Sequence, residues 1–372
     1  MKNGKIGAYT ILASGGWWNQ RLLKDCGIVP YLLHKNYDFH SVLVGYNANK
    51  PSLPYLETYL KGVEVDFLSD DTLNTRIKYI NDHAKDIDLF ILYGAYDIYV
   101  PMVDFYKKKR PDGKVYLATD ANVNWMDLIT HDNPLYKKFL NQCDVVGASC
   151  RKTQRYLSMK WPTAVDLIRN GWYNFSNVDF NNLFNNKENI ILTVGRLGTK
   201  QKRTELLLEA FAACSDKIPD WRLRLVGKIE PKFKEYVDKF FNRYPNLKER
   251  IEFVGLIEDK LQLAEEYKKA KIFVLTSTVE GGTPNVIAEA LYAGCYIITS
   301  NIDGASDATD EGKCGVVFSL INKSELVDIL KRVCNDSNLI IEGGTWAFNY
   351  ARESFDSEKI VAHLHYLLYE IK

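Results

Sequence analysis

The sequence predicts an α/β protein built from two doubly wound parallel sheets, each in a domain of its own. The chain has 372 residues, which suffices for two domains because one domain takes roughly 150 residues. Short apolar runs alternate with helix-like segments, a rhythm typical of parallel strands joined by helices. In both halves glycines follow a strand and precede a helix, and such folds bind ligands outside the carboxyl ends of their strands.

The composition and charge of the chain argue against several classes of protein. The apolar fraction is 46%, and the formal net charge of +1 gives no case for nucleic acid as a partner. No apolar run approaches the ~20 residues that span a bilayer, and the first residues lack a secretory hydrophobic segment. The seven cysteines form no C-x-x-C pair and the six histidines show no metal-ligand spacing. We therefore expect a cytoplasmic protein with reduced cysteines.

Six strands are expected in the first domain. The first, at residues 5–13, ends just before Gly15 and Gly16, and a helix is expected at residues 17–25. The glycine pair either brings the backbone close to a ligand or forms an ordinary tight turn. The other elements of this domain are a helix at residues 72–84 and strands at residues 39–46, 63–68, 88–93, 115–119 and 144–149.

Two charged motifs in this domain have structural interpretations. Lys107, Lys108, Lys109 and Arg110 form the marked basic run of the chain, and cations at the carboxyl end of a helix complement its dipole. The alternative is peripheral docking on the anionic inner face of a membrane, where each cation contributes about 1 kcal/mol. The D-x-D sequence at residues 86–88 enters a strand at its amino end, so we interpret it as structural.

The second domain is predicted to follow an Asn- and Phe-rich linker at residues 173–189. It opens with an apolar strand that runs into Gly195 and Arg196, and a helix is expected at residues 204–214. Further strands are expected at residues 223–227 and 251–255, a helix at residues 261–269 and a final amphipathic helix at residues 346–371.

Residues 272–299 carry most of the functional information, as a unit of strand, glycine loop, helix and strand. Apolar runs at both ends predict two parallel strands. Between them Thr283 is a suitable N-cap, Pro284 fits the first helical position, and Gly294 fits just past the helix end.

The loop and helix start of this unit predict an anion site. Gly281 and Gly282 let the backbone approach a ligand, and the free N–H groups and dipole of the helix favour a phosphate or diphosphate. Glu280 stands beside that site and Glu289 lies in the helix, where carboxylates can accept hydrogen bonds from sugar hydroxyls. Together they indicate a nucleotide-sugar ligand. The alternative is that Glu280 caps a turn and Glu289 is a solvated helix residue.

These residues resemble the motifs of the retaining glycosyltransferases of family 4, which have the GT-B architecture. The glutamate pair of that family has the form E-x7-E, and its second glutamate opens E-A-x-A-x-G. Glu289 opens such a segment here, with Tyr292 in place of the usual small residue. Glu280 and Glu289 are nine positions apart where the family has eight, and the extra residue falls in the loop before the helix.

Two further motifs carry the resemblance. Residues 168–171, Ile-Arg-Asn-Gly, are similar to the I-x-N-G that closes the first domain of the family. The family's G-R-L, lysine and E-A-F pattern is matched by residues 195–197, Lys202 and residues 209–211, with a loop again longer by one residue. Lys202 is favoured over Lys200 because it keeps the family's distance to the E-A-F segment.

The resemblance implies a GT-B fold of two Rossmann-like domains that face a central cleft. The domains would cover residues 1–172 and 190–344, and a helix at residues 345–372 would cross back to the first domain. Arg196 and Lys202 would hold the donor diphosphate, and with the helix dipole they would take the place of a metal ion. No cofactor is expected, because the nucleotide sugar is a substrate.

The resemblance also implies roles for single residues. Glu280 would bind the transferred sugar and Glu289 the ribose. Asp120 stands about where many members have a histidine, and it could stabilise positive charge near the sugar, bind a hydroxyl or cap the next helix. The implied catalytic residues are Arg196, Lys202, Glu280 and Asp120. The implied donor-binding residues are Gly15, Gly16, Gly195, Gly227, Gly281, Gly282, Thr283, Pro284, Asn285 and Glu289.

The function implied is transfer of a sugar from a nucleotide donor to the hydroxyl of a glycan, a lipid-linked glycan or a protein. The Lys-, Asn-, Tyr- and Ile-rich composition is consistent with a bacterial chain of low genomic GC content. Many bacterial relatives build surface polysaccharides or glycoproteins, which favours a UDP-sugar donor with a glucose-like sugar. Two alternatives stay open: a GT-B partner subunit without catalysis, and a nucleotide-sugar epimerase.

Overall fold

The computed structural model describes residues 6–128, 133–175, 177–180 and 183–371. The chain forms two compact units, one from Met1–Tyr173 together with Asp356–Lys372 and the other from Asn174–Phe355. Residue 5, where the sequence predicts the first strand to begin, lies outside the described residues.

The first unit contains one parallel sheet. Its described strands are β1 (Gly7–Ile11), β2 (His40–Gly45), β3 (Glu64–Phe67), β4 (Leu89–Tyr93), β5 (Lys114–Ala118), β6 (Val145–Ala148) and β7 (Asp166–Leu167). They are hydrogen-bonded in the order β3-β2-β1-β4-β5-β6-β7, and every neighbouring pair is parallel. The sequence misses β7 because two residues are too few to show a period.

Helices connect these strands. They are α1 (Asn19–Leu22), α2 (Asp25–Tyr37), α3 (Pro54–Thr58), α4 (Leu73–His83), α5 (Tyr99–Lys109), α6 (Val123–Leu128), α7 (Pro134–Gln142) and α8 (Arg151–Lys160). The single helix predicted at residues 17–25 is wrong, because a short helix ends at Leu22 and a longer one begins at Asp25. Gly27 and Pro30 lie inside α2. Because both residue types disfavour a helix, the sequence does not predict α2 at its full length. Glycine is needed at 27, where a Cβ would stand 2.1 Å from the Leu22 carbonyl oxygen.

The second unit contains another parallel sheet. Its described strands are β8 (Glu188–Val194), β9 (Arg222–Val226), β10 (Ile251–Gly255), β11 (Ala270–Leu275), β12 (Tyr296–Ser300) and β13 (Gly315–Phe318). Their order is β10-β9-β8-β11-β12-β13, again all parallel. The strand order reverses between β8 and β11, and ligands of doubly wound sheets bind at such a switch point. The predicted class of two doubly wound parallel sheets is confirmed.

The helices of the second unit are α9 (Thr204–Cys214), α10 (Lys234–Arg243), α11 (Lys260–Lys269), α12 (Asn285–Tyr292), α13 (Ala305–Ala308), α14 (Lys323–Cys334) and α15 (Ser337–Ser354). A last helix, α16 (Ser357–Tyr369), belongs to the first unit. The single terminal helix expected at residues 345–372 is therefore wrong: α15 ends before Phe355 and α16 begins after Asp356. The Asp356 carboxylate starts the new helix by accepting hydrogen bonds from the backbone N–H groups of Glu358 (2.8 Å) and Lys359 (3.2 Å).

Apolar strand residues form a core in each unit. Leu92 and Leu117 are fully buried in the first, as are Ile191, Val274 and Ile298 in the second. Burying one such side chain contributes about 1.5–3 kcal/mol, so the central strands are held firmly and can position the loops that follow them. All seven cysteines are buried and free. Within the described ranges, no helix combines the length and hydropathy needed to cross a lipid bilayer.

Candidate functional site

The two loops at the switch point of the second sheet are joined to each other. One follows β8 and the other follows β11, the two central strands. The backbone N–H of Thr278 donates to the Gln201 carbonyl oxygen (2.8 Å), and the hydroxyl of Thr276 donates to the Lys202 carbonyl oxygen (2.6 Å). The sheet topology and these hydrogen bonds bring residues that are more than 70 positions apart in sequence into one site.

Lys202 and Glu280 form an ion pair within this site. The Lys202 Nζ donates to the Glu280 Oε1, and the side chains are only 17% and 11% exposed. A charge in so sheltered a place needs a partner or a ligand, because desolvation penalises an unpaired ion. The structure thus joins two residues that the sequence assigns separately to the diphosphate and to the sugar. The expectation that Glu280 merely caps a turn gains no support from this contact.

Arg196 is connected to the second of these loops through the neutral side chain of Gln201. Its Nη2 donates to the Gln201 Oε1 (2.9 Å), and the Gln201 Nε2 donates to the Val279 carbonyl oxygen (2.8 Å). Arg196 itself is exposed. Sequence reasoning did not select Gln201, since a lone glutamine in a loop carries no motif.

The helix start differs from the prediction. Helix α12 begins at Asn285, and Pro284 occupies the N-cap with extended backbone (φ −71°, ψ 150°), so Thr283 is not the N-cap. Thr283 is fully buried, and its Oγ1 has no hydrogen-bond partner in the described part of the chain. The loop of Gly304 packs closely here, since a Cβ on Gly304 would stand 2.5 Å from the Thr283 nitrogen and 2.4 Å from the Gly282 carbonyl oxygen. No local pattern of residues indicates this contact.

The helix end agrees with the prediction. Gly294 has φ +63°, a left-handed conformation that glycine adopts at little cost. Its N–H donates to the Leu291 carbonyl oxygen (2.9 Å), and the Cys295 N–H donates to the Ala290 carbonyl oxygen (3.0 Å). These two bonds close the helix and fix its length, so the position of Glu289 on it is set by regular geometry.

Glu289 is held by two neighbours on α11. The buried Tyr267 hydroxyl donates to its Oε2 (2.6 Å), and the Lys260 Nζ lies 3.6 Å from its Oε1. Burial and the Glu289 carboxylate both raise the pKa of Tyr267 well above its ordinary value, so the phenol stays a hydrogen-bond donor. With its side chain 14% exposed, Glu289 is not the solvated helix residue of the alternative interpretation.

Gly195 and Gly227 follow neighbouring strands and pack on each other. A Cβ on Gly227 would stand 1.8 Å from the Gly195 carbonyl oxygen, and Gly227 has φ +138°. Glycine at 227 is therefore required by packing. This contact constrains the backbone at Gly195, directly before Arg196.

The remaining predicted residues lie in the first unit, at the carboxyl ends of its strands. The Gly15 N–H donates to both carboxylate oxygens of Asp71 (3.2 Å each), and Asp71 also pairs with the buried Arg76 (2.5 Å). A Cβ on Gly16 would stand 2.3 Å from the backbone carbonyl oxygen of Tyr46, so packing requires glycine there. The glycine pair is thus a tightly packed turn whose first amide already meets an anion, the Asp71 carboxylate.

Asp120 follows β5 and is exposed, with φ +33°. The Asn170 Nδ2 lies 3.4 Å from its Oδ1, which joins the I-x-N-G motif to this strand end. Before α6, the Asn122 Oδ1 accepts the N–H of Trp125 (2.9 Å). Asp120 lies at the sheet edge where a ligand of such folds would be expected, and its roles at the sugar or as a helix cap stay predictions.

The basic run and the D-x-D motif contact each other in the first unit. Arg110 pairs with Asp88, and the Asp88 Oδ2 accepts the Gly7 N–H (2.6 Å). Lys107 pairs with Asp144, Lys108 with Asp104, and Lys109 lies over the ring of Phe105. These contacts support the structural interpretation of both motifs, while docking of the run on a membrane stays a prediction. Within the described ranges, no three His, Cys, Asp or Glu side chains are grouped as a metal site.

Comparisons with known proteins point to glycosyltransferases. Residues 188–336 match the family model described as glycosyl transferases group 1. The chain is 25% identical over 250 residues to the Campylobacter jejuni GalNAc-α-(1→4)-GalNAc-α-(1→3)-diNAcBac-PP-undecaprenol α-1,4-N-acetyl-D-galactosaminyltransferase, covering 65% of this chain and 66% of that protein. This is just under two thirds of the relative's length, and two further relatives are matched over about half of theirs, 47% and 46%.

Solved structures match the fold over nearly the whole chain. Anabaena Alr3699/HepE, in complex with UDP, has a TM-score of 0.74 at 18% identity over 98% of this chain and 100% of its own. Sucrose-phosphate synthase from Thermosynechococcus elongatus has a TM-score of 0.72 at 18% identity, with 98% of each chain covered. The protein thus shares the GT-B fold of these solved structures, and its residues 188–336 match the model of the glycosyl transferases group 1.

Proposed function

We propose that this protein is a retaining glycosyltransferase of family 4, which moves a sugar from a nucleotide donor to an acceptor hydroxyl. The observation that carries the proposal is the meeting of Lys202, Glu280 and the Arg196–Gln201 pair at the switch point of the second sheet. Two cations and one carboxylate near the carboxyl ends of the two central strands suit a diphosphate attached to a sugar. The pair of Glu280 and Glu289 resembles the glutamate pair of that family, although the two residues are one position further apart here.

The chemistry that these residues would perform is chiefly electrostatic. When the bond between the anomeric carbon and the diphosphate oxygen breaks, its electron pair leaves with the nucleoside diphosphate. Arg196, Lys202 and the N–H groups at the start of α12 would stabilise the negative charge that develops there. Because Lys202 is paired with Glu280, a bound diphosphate would compete with that carboxylate for the ammonium. Glu280 would then be released to accept hydrogen bonds from the sugar.

The nucleoside would bind next to Glu289. Its carboxylate is oriented by Tyr267 and Lys260, and two carboxylate oxygens suit the two hydroxyls of a ribose. The resemblance to the family also assigns Gly15, Gly16 and Asp120 of the first unit to the donor. Asp120 would bind a hydroxyl of the sugar or stabilise its positive charge.

Two relatives guide the choice of substrates. HepE has been solved with UDP-glucose, which supports a UDP-sugar as the donor class. The Campylobacter relative is named for transfer to a glycan on undecaprenol diphosphate, which supports a glycan or lipid-linked glycan as the acceptor class. UDP-glucose and UDP-N-acetylgalactosamine are therefore the first donors to test.

The function is tested by incubating the protein with each UDP-sugar and following UDP release, with and without lipid-linked glycans. A glycosyltransferase releases UDP, more rapidly when the acceptor is present, and NMR of the product shows the anomeric configuration of the donor retained. An epimerase on the same fold would change the UDP-sugar without needing an acceptor. A non-catalytic partner subunit would bind UDP without turnover, and this result across the donor series would overturn the proposal.

Transfer is expected not to depend on a divalent metal. Arg196, Lys202 and the start of α12 already supply positive charge at the proposed diphosphate site, so a metal ion would duplicate them. We expect kcat to stay within about twofold after dialysis against a chelator, well under the tenfold that a barrier change of about 1.4 kcal/mol would cause. The control is the same sample with magnesium restored. Loss of turnover in chelator that magnesium reverses would contradict this expectation.

A further inference from the structure

We propose that Gln201 is a positioning residue that holds the Arg196 guanidinium at the diphosphate, an inference that rests on the proposed function. Gln201 lies on the loop between β8 and α9, directly before Lys202. Its side chain connects Arg196 to Val279, the residue directly before Glu280. A single amide therefore links Arg196 on one loop to the residue directly before Glu280 on the other.

The amide orientation follows from its partners. A guanidinium offers only donors, so the group facing Arg196 must be the amide oxygen. The Val279 carbonyl only accepts, so the group facing it must be the amide nitrogen. The opposite orientation would set donor against donor and acceptor against acceptor. An amide is therefore suited to this position, whereas a carboxylate would lose the bond to Val279.

The backbone of Gln201 is held as firmly as its side chain. Its carbonyl oxygen accepts the Thr278 N–H (2.8 Å), and the Thr278 Oγ1 lies 3.4 Å from the same oxygen. The side chain thus extends from a fixed point. Arg196, by contrast, is exposed, and fixing a free arginine side chain costs rotamer entropy. Gln201 reduces this cost by orienting the guanidinium before the donor binds.

The neutrality of the partner matters as much as its position. Among the described residues no carboxylate forms an ion pair with Arg196, whereas Lys202 is paired with Glu280. A carboxylate partner would compete with the diphosphate for the guanidinium, while an amide directs it and leaves its charge available. The two cations are thus held differently: Lys202 must exchange a partner when the donor binds, and Arg196 is ready without exchange.

The test is a double-mutant cycle with steady-state kinetics on the full chain. Gln201→Ala is expected to lower kcat by about tenfold, the effect of losing one hydrogen bond to a charged group, and to change the donor KM by less than about twofold. In an Arg196→Ala background the same substitution is expected to change kcat by less than about twofold, because its target has gone. Lys200→Ala, which removes an exposed neighbour on the same loop, is the control and should leave kcat unchanged.

The outcomes separate this inference from the proposed function. A tenfold loss from Gln201→Ala in both backgrounds would mean that the glutamine supports the loop generally, and would overturn a role through Arg196. An unchanged kcat in the Gln201→Ala variant of an active enzyme would overturn it as well, and in both cases the proposed function stands. Absence of turnover by the unaltered chain with every UDP-sugar would instead overturn the proposed function, and the inference with it.

Discussion

Lys202→Ala and Arg196→Ala are each expected to lower kcat by on the order of 10²–10³ while the chain stays folded, because each removes one cation from the charge that develops on the leaving diphosphate. The Lys202 substitution should be the more damaging of the two. It leaves the Glu280 carboxylate, 11% exposed, without its partner and facing the incoming diphosphate. The measurement is kcat and donor KM for the three proteins, with melting temperatures to verify folding.

Two controls sharpen this result. Lys200→Ala removes a cation from the same loop without touching the Lys202–Glu280 pair, and it should behave as the unaltered chain does. Adding Glu280→Gln to Lys202→Ala should restore part of the lost UDP affinity, because the unpaired carboxylate is then neutral. Near-normal kcat for both single variants would contradict the proposed donor site, and a large loss from Lys200→Ala would mean that the wrong lysine had been chosen.

The strands that position the candidate site could be predicted from the sequence, because a buried strand is a local run of apolar residues. Apolar runs led to β8 and β11, and their place at the centre of the sheet follows from the doubly wound topology. Arg196 and Glu280 could be selected for the same reason, since each follows one of these strands directly or after a short loop. Gly294 could be placed because a left-handed residue after a helix demands glycine.

Contacts between distant segments could not be derived in this way. No local pattern shows that Gln201 would reach Val279, or that Gly304 would pack closely against Thr283. The Lys202–Glu280 pair is a contact of the same kind, because the sequence patterns relate each residue to a ligand and not to the other residue. Charged residues that share a ligand must also neutralise one another when it is absent.

The two glutamates are expected to differ in what they do. Glu280→Gln should lower kcat with an intact UDP-sugar by about tenfold or more, since hydrogen bonds from the sugar hydroxyls to a carboxylate are charge-assisted. It should not weaken the binding of UDP alone. Lys202 would lose the carboxylate that competes with the diphosphate, so the Kd for UDP should stay the same or fall. Glu289→Ala should instead raise the Kd for UDP by about tenfold, as expected for about 1.4 kcal/mol of lost ribose contacts.

Calorimetry of UDP binding to both variants separates the two roles, and steady-state kinetics supplies the values of kcat. Glu265→Gln is a matched control, because Glu265 is a carboxylate of the same unit that pairs only with its neighbour Lys268 (2.9 Å) among the described contacts. Equal weakening of UDP binding by Glu280→Gln and Glu289→Ala would show that the division of roles is wrong. The longer loop before α12 would then have turned Glu280 towards the nucleotide, and its pairing with Lys202 would reflect a shared diphosphate site rather than an exchange between sugar and phosphate.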